Sequence, residues 1–293
     1  SSIAAAFAQS GEVAVARIKE PRYFTDFAAR DWQGPKADGF VQKIVGDWDT
    51  YDSLFDDAPW RMETSTDYLS CAVTPERLAR FAEKNPVKIV AVLRDPVARI
   101  VSEFQHTLRD GYQTGTLAQS LAAEADRIAK DWHPLFRHVA RSRYAAPIQR
   151  YRALFGDDFR VLDFHTLRTQ GGGVPAIADF MGIAAPQITQ LPHENQSFAP
   201  KSQVLNTLMN AQCIVGLARR VMPAGLRGKV RGTAARLNAK PYGPTPDEYA
   251  QMRAAVADDI AWCIADPHVP TDHWDLARGR PVQPAAQDIM ADV

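Results

Sequence analysis

Cysteine is scarce: Cys71, Cys213 and Cys263 stand far apart in 293 residues, with no C-x-x-C spacing. That scarcity excludes a disulfide framework and a thiolate zinc site, and it suits a reducing, cytoplasmic setting. No apolar run approaches the roughly 20 residues that a bilayer-crossing helix requires, and no basic-then-apolar leader is expected. Net charge is also missing, since 34 Lys and Arg balance 34 Asp and Glu, which argues against a general nucleic-acid binder. No internal repeat and no Gly-x-x-x-x-Gly-Lys-Ser/Thr run occurs.

Acidic residues are absent from one long stretch. Between Lys201 and Pro246 there are eight basic residues and no Asp or Glu: Lys201, Arg219, Arg220, Arg227, Lys229, Arg231, Arg236 and Lys240. The rest of the chain therefore carries a net charge of −8. Such a stretch reads as a solvated basic face on core helices, or as a weak contact surface for acidic glycans or anionic headgroups.

What is present supports a large core. At 46% hydrophobic residues the composition is that of a globular protein, read as one domain over 1–293 with a helical C-terminal extension over 201–265. The central stretch is Val87 to Ser102. Val87 to Leu93 is a short β-branched run, as expected for a strand covered on both faces. Asp95 suits a helix cap and Pro96 the first helical position, where a missing N–H costs nothing. A strand handing directly to a helix N-terminus gathers free N–H groups and the positive end of the helix dipole, a natural anion site. Arg94 adds a permanently charged fork, and Asp95, Arg99 and Ser102 fall on one helix face. Spacing alone fits equally an ordinary corner with a capping Asp and a surface Arg.

The run Arg94-Asp95-Pro96-Val97-x-Arg99-x-x-Ser102, after its strand, resembles the segment by which sulfotransferases that use 3′-phosphoadenosine 5′-phosphosulfate (PAPS) hold the 3′-phosphate. The resemblance implies phosphate contacts from Arg94 and Ser102, with Lys201 as a further contributor. Lys19-Glu20-Pro21-Arg22-Tyr23-Phe24 is similar to the Lys-Glu-Pro-x-x-Phe element of the carbohydrate and related branch. There the Glu is the general base, which implies that role for Glu20, with Lys19 and Arg22 steering the acceptor. Read without the resemblance, Glu20 is a solvated surface carboxylate beside a proline turn.

Ser1-Ser2-Ile3-Ala4-Ala5-Ala6-Phe7 reads as a helix already begun. Sulfotransferases resembling this chain open with a strand and a Pro-Lys-x-Gly-Thr-Ser/Thr loop that cradles the 5′-phosphosulfate. Ser1 and Ser2 align with the end of that loop and the helix start; the Lys and Gly have no counterpart, so a segment preceding Ser1 is expected. Arg61-Met62-Glu63-Thr64-Ser65-Thr66-Asp67-Tyr68 resembles the family's Glu-Lys-Ser/Thr-Pro-x-Tyr segment, with Thr64 and Thr66 as departures. Glu63 is either structural or close to the acceptor.

Elsewhere the pattern predicts a strand over Val13 to Ile18, a helix capped by Thr74, single helices over 116–132, 134–155 and 246–265, a strand over Phe159 to Phe164 and a helix over 174–182. His106 reads as an ordinary helix-face residue. His193-Glu194-Asn195-Gln196-Ser197 resembles a family Asn-x-Ser stretch, and one His with one Glu falls short of a metal site.

The resemblance implies a three-layer α/β fold like that of P-loop nucleotide kinases: a parallel sheet, helices on both faces and a helical C-terminal part. It implies metal-free sulfuryl transfer from PAPS to an acceptor hydroxyl, most readily on a carbohydrate, with small alcohols, lipids and tyrosine open. A small-molecule kinase of similar fold and a non-catalytic nucleotide-binding relative are the alternatives.

Overall fold

The computed structural model describes residues 2–168, 173–186, 199–202, 205–206, 223, 230, 233, 237–240 and 242–277. In chain order come α1 (Ser2–Phe7), β1 (Val13–Val15), α2 (Ala37–Val41), α3 (Trp48–Asp52), β2 (Trp60–Met62), α4 (Thr74–Ala82), β3 (Ile89–Leu93) and α5 (Pro96–Arg109). Then follow α6 (Leu117–Ala122), α7 (Glu124–Ala129), α8 (Ala145–Phe155), β4 (Phe159–Asp163), α9 (Phe164–Arg168) and α10 (Gly173–Met181). A short β5 (Ala199–Pro200) and β6 (Ala239–Lys240) precede α11 (Pro246–Ala255) and α12 (Ala257–Ala265). Ser1, the 193–197 stretch, Cys213 and, between Lys201 and Lys240, the six other basic positions lie outside the described residues.

The architecture is α/β. β1 pairs with β2 in parallel, β3 pairs with β4 in parallel, and β5 pairs with β6 antiparallel. In the β3–β4 pair, Ile89 stands opposite Phe159 and Leu93 opposite Asp163. Side chains of a strand alternate between faces, so each pair feeds two cores. Ala14, Ala91, Leu93, Phe159 and Val161 pack with Tyr144, Ile148 and Tyr151 around α8 and with Trp274. Val13, Val15, Val90, Val92 and Leu162 pack on the other side with Phe7 of α1 and with Ile177 and Ala178 of α10. The β-branched run of β3 is thus covered on both faces, as the sequence predicts. A third core joins Val97, Ile100 and Phe104 of α5 to Met252 of α11 and Ile260 of α12. No helix among the described residues is long and apolar enough to cross a membrane.

Four predicted helix boundaries are corrected, each by a contact from far along the chain. The single helix expected over 116–132 breaks at Ala123 into α6 and α7. There the buried Glu124 carboxylate accepts from the N–H groups of Val139 and Ala140, at 2.9 and 2.8 Å. The helix expected over 134–155 is two short 3-10 turns, Pro134–Phe136 and Ala140–Ser142, before α8. α8 starts where it does because the Asp259 carboxylate takes the N–H groups of Tyr144 and Ala145, at 2.7 and 2.9 Å. The terminal helix opens on a Thr245–Glu248 capping box and splits at Val256. At that break the Arg143 guanidinium bonds the Ala255 carbonyl. Finally, Val73 rather than Thr74 occupies the N-cap of α4, because the Thr74 hydroxyl donates instead to the Phe24 carbonyl.

Candidate active site

β3 runs into α5 as the sequence predicts. The Asp95 carboxylate accepts from the Ala98 N–H at 3.0 Å and from the Leu276 N–H at 3.1 Å, and Pro96 opens the helix. Burial pushes the Asp95 carboxyl up, against the pull of those N–H groups. Arg94, half-buried at the strand end, holds its guanidinium 5.6 Å from the Phe164 ring centroid, and its carbonyl accepts from the Tyr144 hydroxyl at 2.9 Å. Ser102 is half-buried two turns along α5. Beside them His273 Nδ1 lies 3.0 Å from Oδ2 of the buried Asp163 and stacks on His165.

The second sequence-predicted segment forms a tight turn. Glu20 and Arg22 both have φ 55, in the left-handed region that non-glycine residues avoid. Arg22 Nη2 donates to Glu20 Oε2 at 2.5 Å, and the Thr66 hydroxyl donates to Oε1 at 3.5 Å. Lys19 is exposed on this turn. Arg22 is turned inward, its side chain only 10% exposed, with Nε donating to Asp67 Oδ2 at 2.5 Å. Of the remaining candidates, Ser2 begins α1, and Lys201 Nζ donates to the Leu237 carbonyl at 3.1 Å.

The two segments are joined by ion pairs that sequence reasoning missed. Asp67, fully buried, also pairs through Oδ1 with Arg141 Nη2 at 2.7 Å. Arg141 Nη1 reaches Glu103 Oε1 at 2.9 Å, and Glu103 pairs with Arg99 at 2.8 Å on α5. A continuous series of charges therefore links Glu20 to the helix that carries Ser102. Only the Arg99–Glu103 pair, four residues apart on one helix, has a local signal. Glu63 is the structural neighbour of this turn. It accepts from the hydroxyls of Tyr51, Tyr68 and Ser65, while Ser65 Oγ accepts from the Arg22 N–H at 3.0 Å.

These environments make acid sensitivity predictable. Burial alone would raise the Glu103 carboxyl, yet Arg141, Arg99 and His138 outweigh it and hold the group down to about 2, against an ordinary 4.5. Asp67 is likewise held below the usual range, because Arg141 and Arg22 outweigh its burial. A depressed carboxyl contributes stability that is present above its unfolded value and is lost as pH falls through the folded one. Glu63, pushed up by burial against three hydroxyls, has the opposite sign and favours the fold toward acid. Between about pH 4.5 and 2 the unfolding free energy is expected to drop by an amount on the order of 3 kcal/mol from Glu103. Urea titrations across that window check this: Glu103→Gln should flatten the slope, and an unchanged slope would refute it.

Among the described residues no cluster of three or more His, Cys, Asp or Glu side chains forms a metal cage. No protein-family model matches the chain, and no curated protein matches it significantly. Among solved structures it is similar to a sulfotransferase from Alicyclobacillus acidocaldarius, with 23% identity and a TM-score of 0.59 over 89% of this chain and 92% of that one. At that identity the likeness speaks for architecture, and the chain has an α/β fold like that of the Alicyclobacillus sulfotransferase.

Proposed function

We propose that this protein is a sulfotransferase that moves a sulfuryl group from PAPS to an acceptor hydroxyl, with carbohydrate as the acceptor class. The observation that carries the reading is the buried ion series joining Glu20 to α5. It links the turn that carries one sulfotransferase-like motif to the helix that carries the other, two segments remote in sequence, which supports the reading. The shared fold with a sulfotransferase supports it.

In this reading the chain is one three-layer domain. Arg94 and Ser102, at the end of β3 and along α5, take the donor's 3′-phosphate, where the helix N-terminus adds a favourable field. Ser2, at the start of α1, and Ser1 before it belong to the 5′-phosphosulfate end, and Lys201 is a further contact to the nucleotide. Glu20 faces the acceptor and Lys19 guides it. The acceptor oxygen attacks sulfur while its proton passes to a Glu20 carboxylate oxygen; the bond from sulfur to the 5′-phosphate oxygen breaks, and adenosine 3′,5′-bisphosphate departs.

Calorimetric titration of the protein with adenosine 3′,5′-bisphosphate tests this. Saturable binding is expected, and Arg94→Ala should weaken it by about 1.5–3 kcal/mol, roughly 10- to 150-fold, the scale of a charge-assisted hydrogen bond. Absence of binding by the unmodified protein would overturn the proposal. A screen of glycans, alcohols, lipids and tyrosine peptides with labelled donor then identifies the acceptor.

A further inference from the structure

The Glu20 turn has an unusual backbone. Two residues with side chains, flanking Pro21, both sit at φ 55, where Cβ crowds the carbonyl oxygen. Such a conformation persists only where its surroundings over-determine it, and it concentrates at functional positions.

The surroundings here converge on Asp67. A free arginine samples many rotamers, but Asp67 Oδ2 accepts from Arg22 Nε at 2.5 Å and leaves Nη2 pointing at Glu20 Oε2, also 2.5 Å away. Asp67 cannot swing, because Oδ1 is engaged by Arg141, which is itself anchored on Glu103. The series does not close on itself as a purely internal network would. It ends on Glu20, whose side chain keeps 19% of its surface exposed, while Asp67 keeps none. A buried ion pair is weak evidence of stabilisation, since desolvation offsets its attraction, so its geometric effect is the one to weigh.

We propose that Asp67 is a positioning residue for Glu20, acting through Arg22: it fixes the guanidinium so that Nη2 clamps Oε2 and leaves Oε1 to receive the acceptor's proton. This rests on the reading of Glu20 as the base. The Thr66 hydroxyl, at 3.5 Å from Oε1, is the one described side chain facing that oxygen at hydrogen-bonding range, and it is distant enough to yield to an acceptor.

The test pairs one readout that needs no turnover with one that does. Water-soluble carbodiimide and glycine ethyl ester couple to reachable carboxylates, and mass spectrometry of the Glu20 peptide gives its labelling rate relative to the exposed Asp56 in the same sample. Asp67→Asn keeps the volume and removes the charge, so Glu20 should label several-fold faster while Asp56 is unchanged. Turnover, read as adenosine 3′,5′-bisphosphate released from PAPS with simple methyl glycosides as acceptors, should fall about 100-fold in kcat with the donor KM unchanged. The double variant Asp67→Asn/Arg22→Met should be no slower than Arg22→Met. If Asp67→Asn fails to fold, Arg22→Met alone should reproduce both effects. Unchanged labelling of Glu20 in the folded variant, or additive losses in the double variant, would overturn the inference. Full turnover by Glu20→Gln would instead sink the base assignment and leave the labelling result standing as geometry.

Discussion

Glu20→Gln is expected to lower turnover by about 10²- to 10⁴-fold, the contribution of a positioned general base, while affinity for adenosine 3′,5′-bisphosphate stays the same. An alcohol with a pKa near about 16 is a poor nucleophile at neutral pH and must lose its proton as the new O–S bond forms. The amide of Gln has the same shape as the carboxylate but no lone pair basic enough to take that proton. Binding should survive, because Arg94 follows the end of β3 and Ser102 sits on α5, and the Arg22–Asp67–Arg141 arrangement does not depend on Glu20 for its inner contacts. Steady-state kinetics beside calorimetry separates the two effects. A variant that keeps both turnover and binding rules out Glu20 as the base, whereas one that loses both points to a collapsed turn.

Arg141→Leu is expected to destabilise the protein by about 3–5 kcal/mol, the cost of breaking a buried pair by removing one partner. Arg141 stands between Asp67 and Glu103, and its side chain is only 5% exposed. Without it two carboxylates lose their common counter-ion, leaving the fully buried Asp67 with Arg22 alone and the largely buried Glu103 with Arg99 and His138. Both ions and their field also hold the Arg141 guanidinium above its ordinary pKa, despite its burial, so it is charged at any working pH. Arg17→Leu is the control, since Arg17 and Asp56 are 55% and 84% exposed and such a pair contributes about 0–1 kcal/mol. Chemical denaturation of the three proteins at neutral pH gives the comparison, and repeating it in acid should narrow the gap as the stranded carboxylates take up protons. Equal stabilities for Arg141→Leu and Arg17→Leu would mean that the buried series does not hold the fold together.

The elements legible in the sequence are those whose cause is local. β3 shows as a β-branched run and α5 as Asp95 before Pro96; β4 follows the Gly156-Asp157-Asp158 break, and α10 ends where Gly182 takes φ 72. Thr245 and Glu248 announce α11 in the same way. The candidate residues Glu20, Arg94 and Ser102 rest on the resemblance of their segments to sulfotransferase motifs; in the fold the first lies in a clamped turn and the others along one strand-to-helix unit.

By itself, then, the order of residues determined the strand-to-helix unit, the turn bearing Glu20 and the alternation that lets β3 face two cores. Tertiary structure alone decided where the 3-10 turn at Ala140 and helix α8 begin and where α11 ends, because Glu124, Asp259 and Arg143 bond their backbone from up to 115 residues away. It alone decided that Arg22 turns inward and that Asp67, Arg141 and Glu103 join Glu20 to α5. The physical reason is range: periodicity and capping act within a few neighbouring residues, whereas a buried charge is settled by whichever counter-ion the packed chain brings to it.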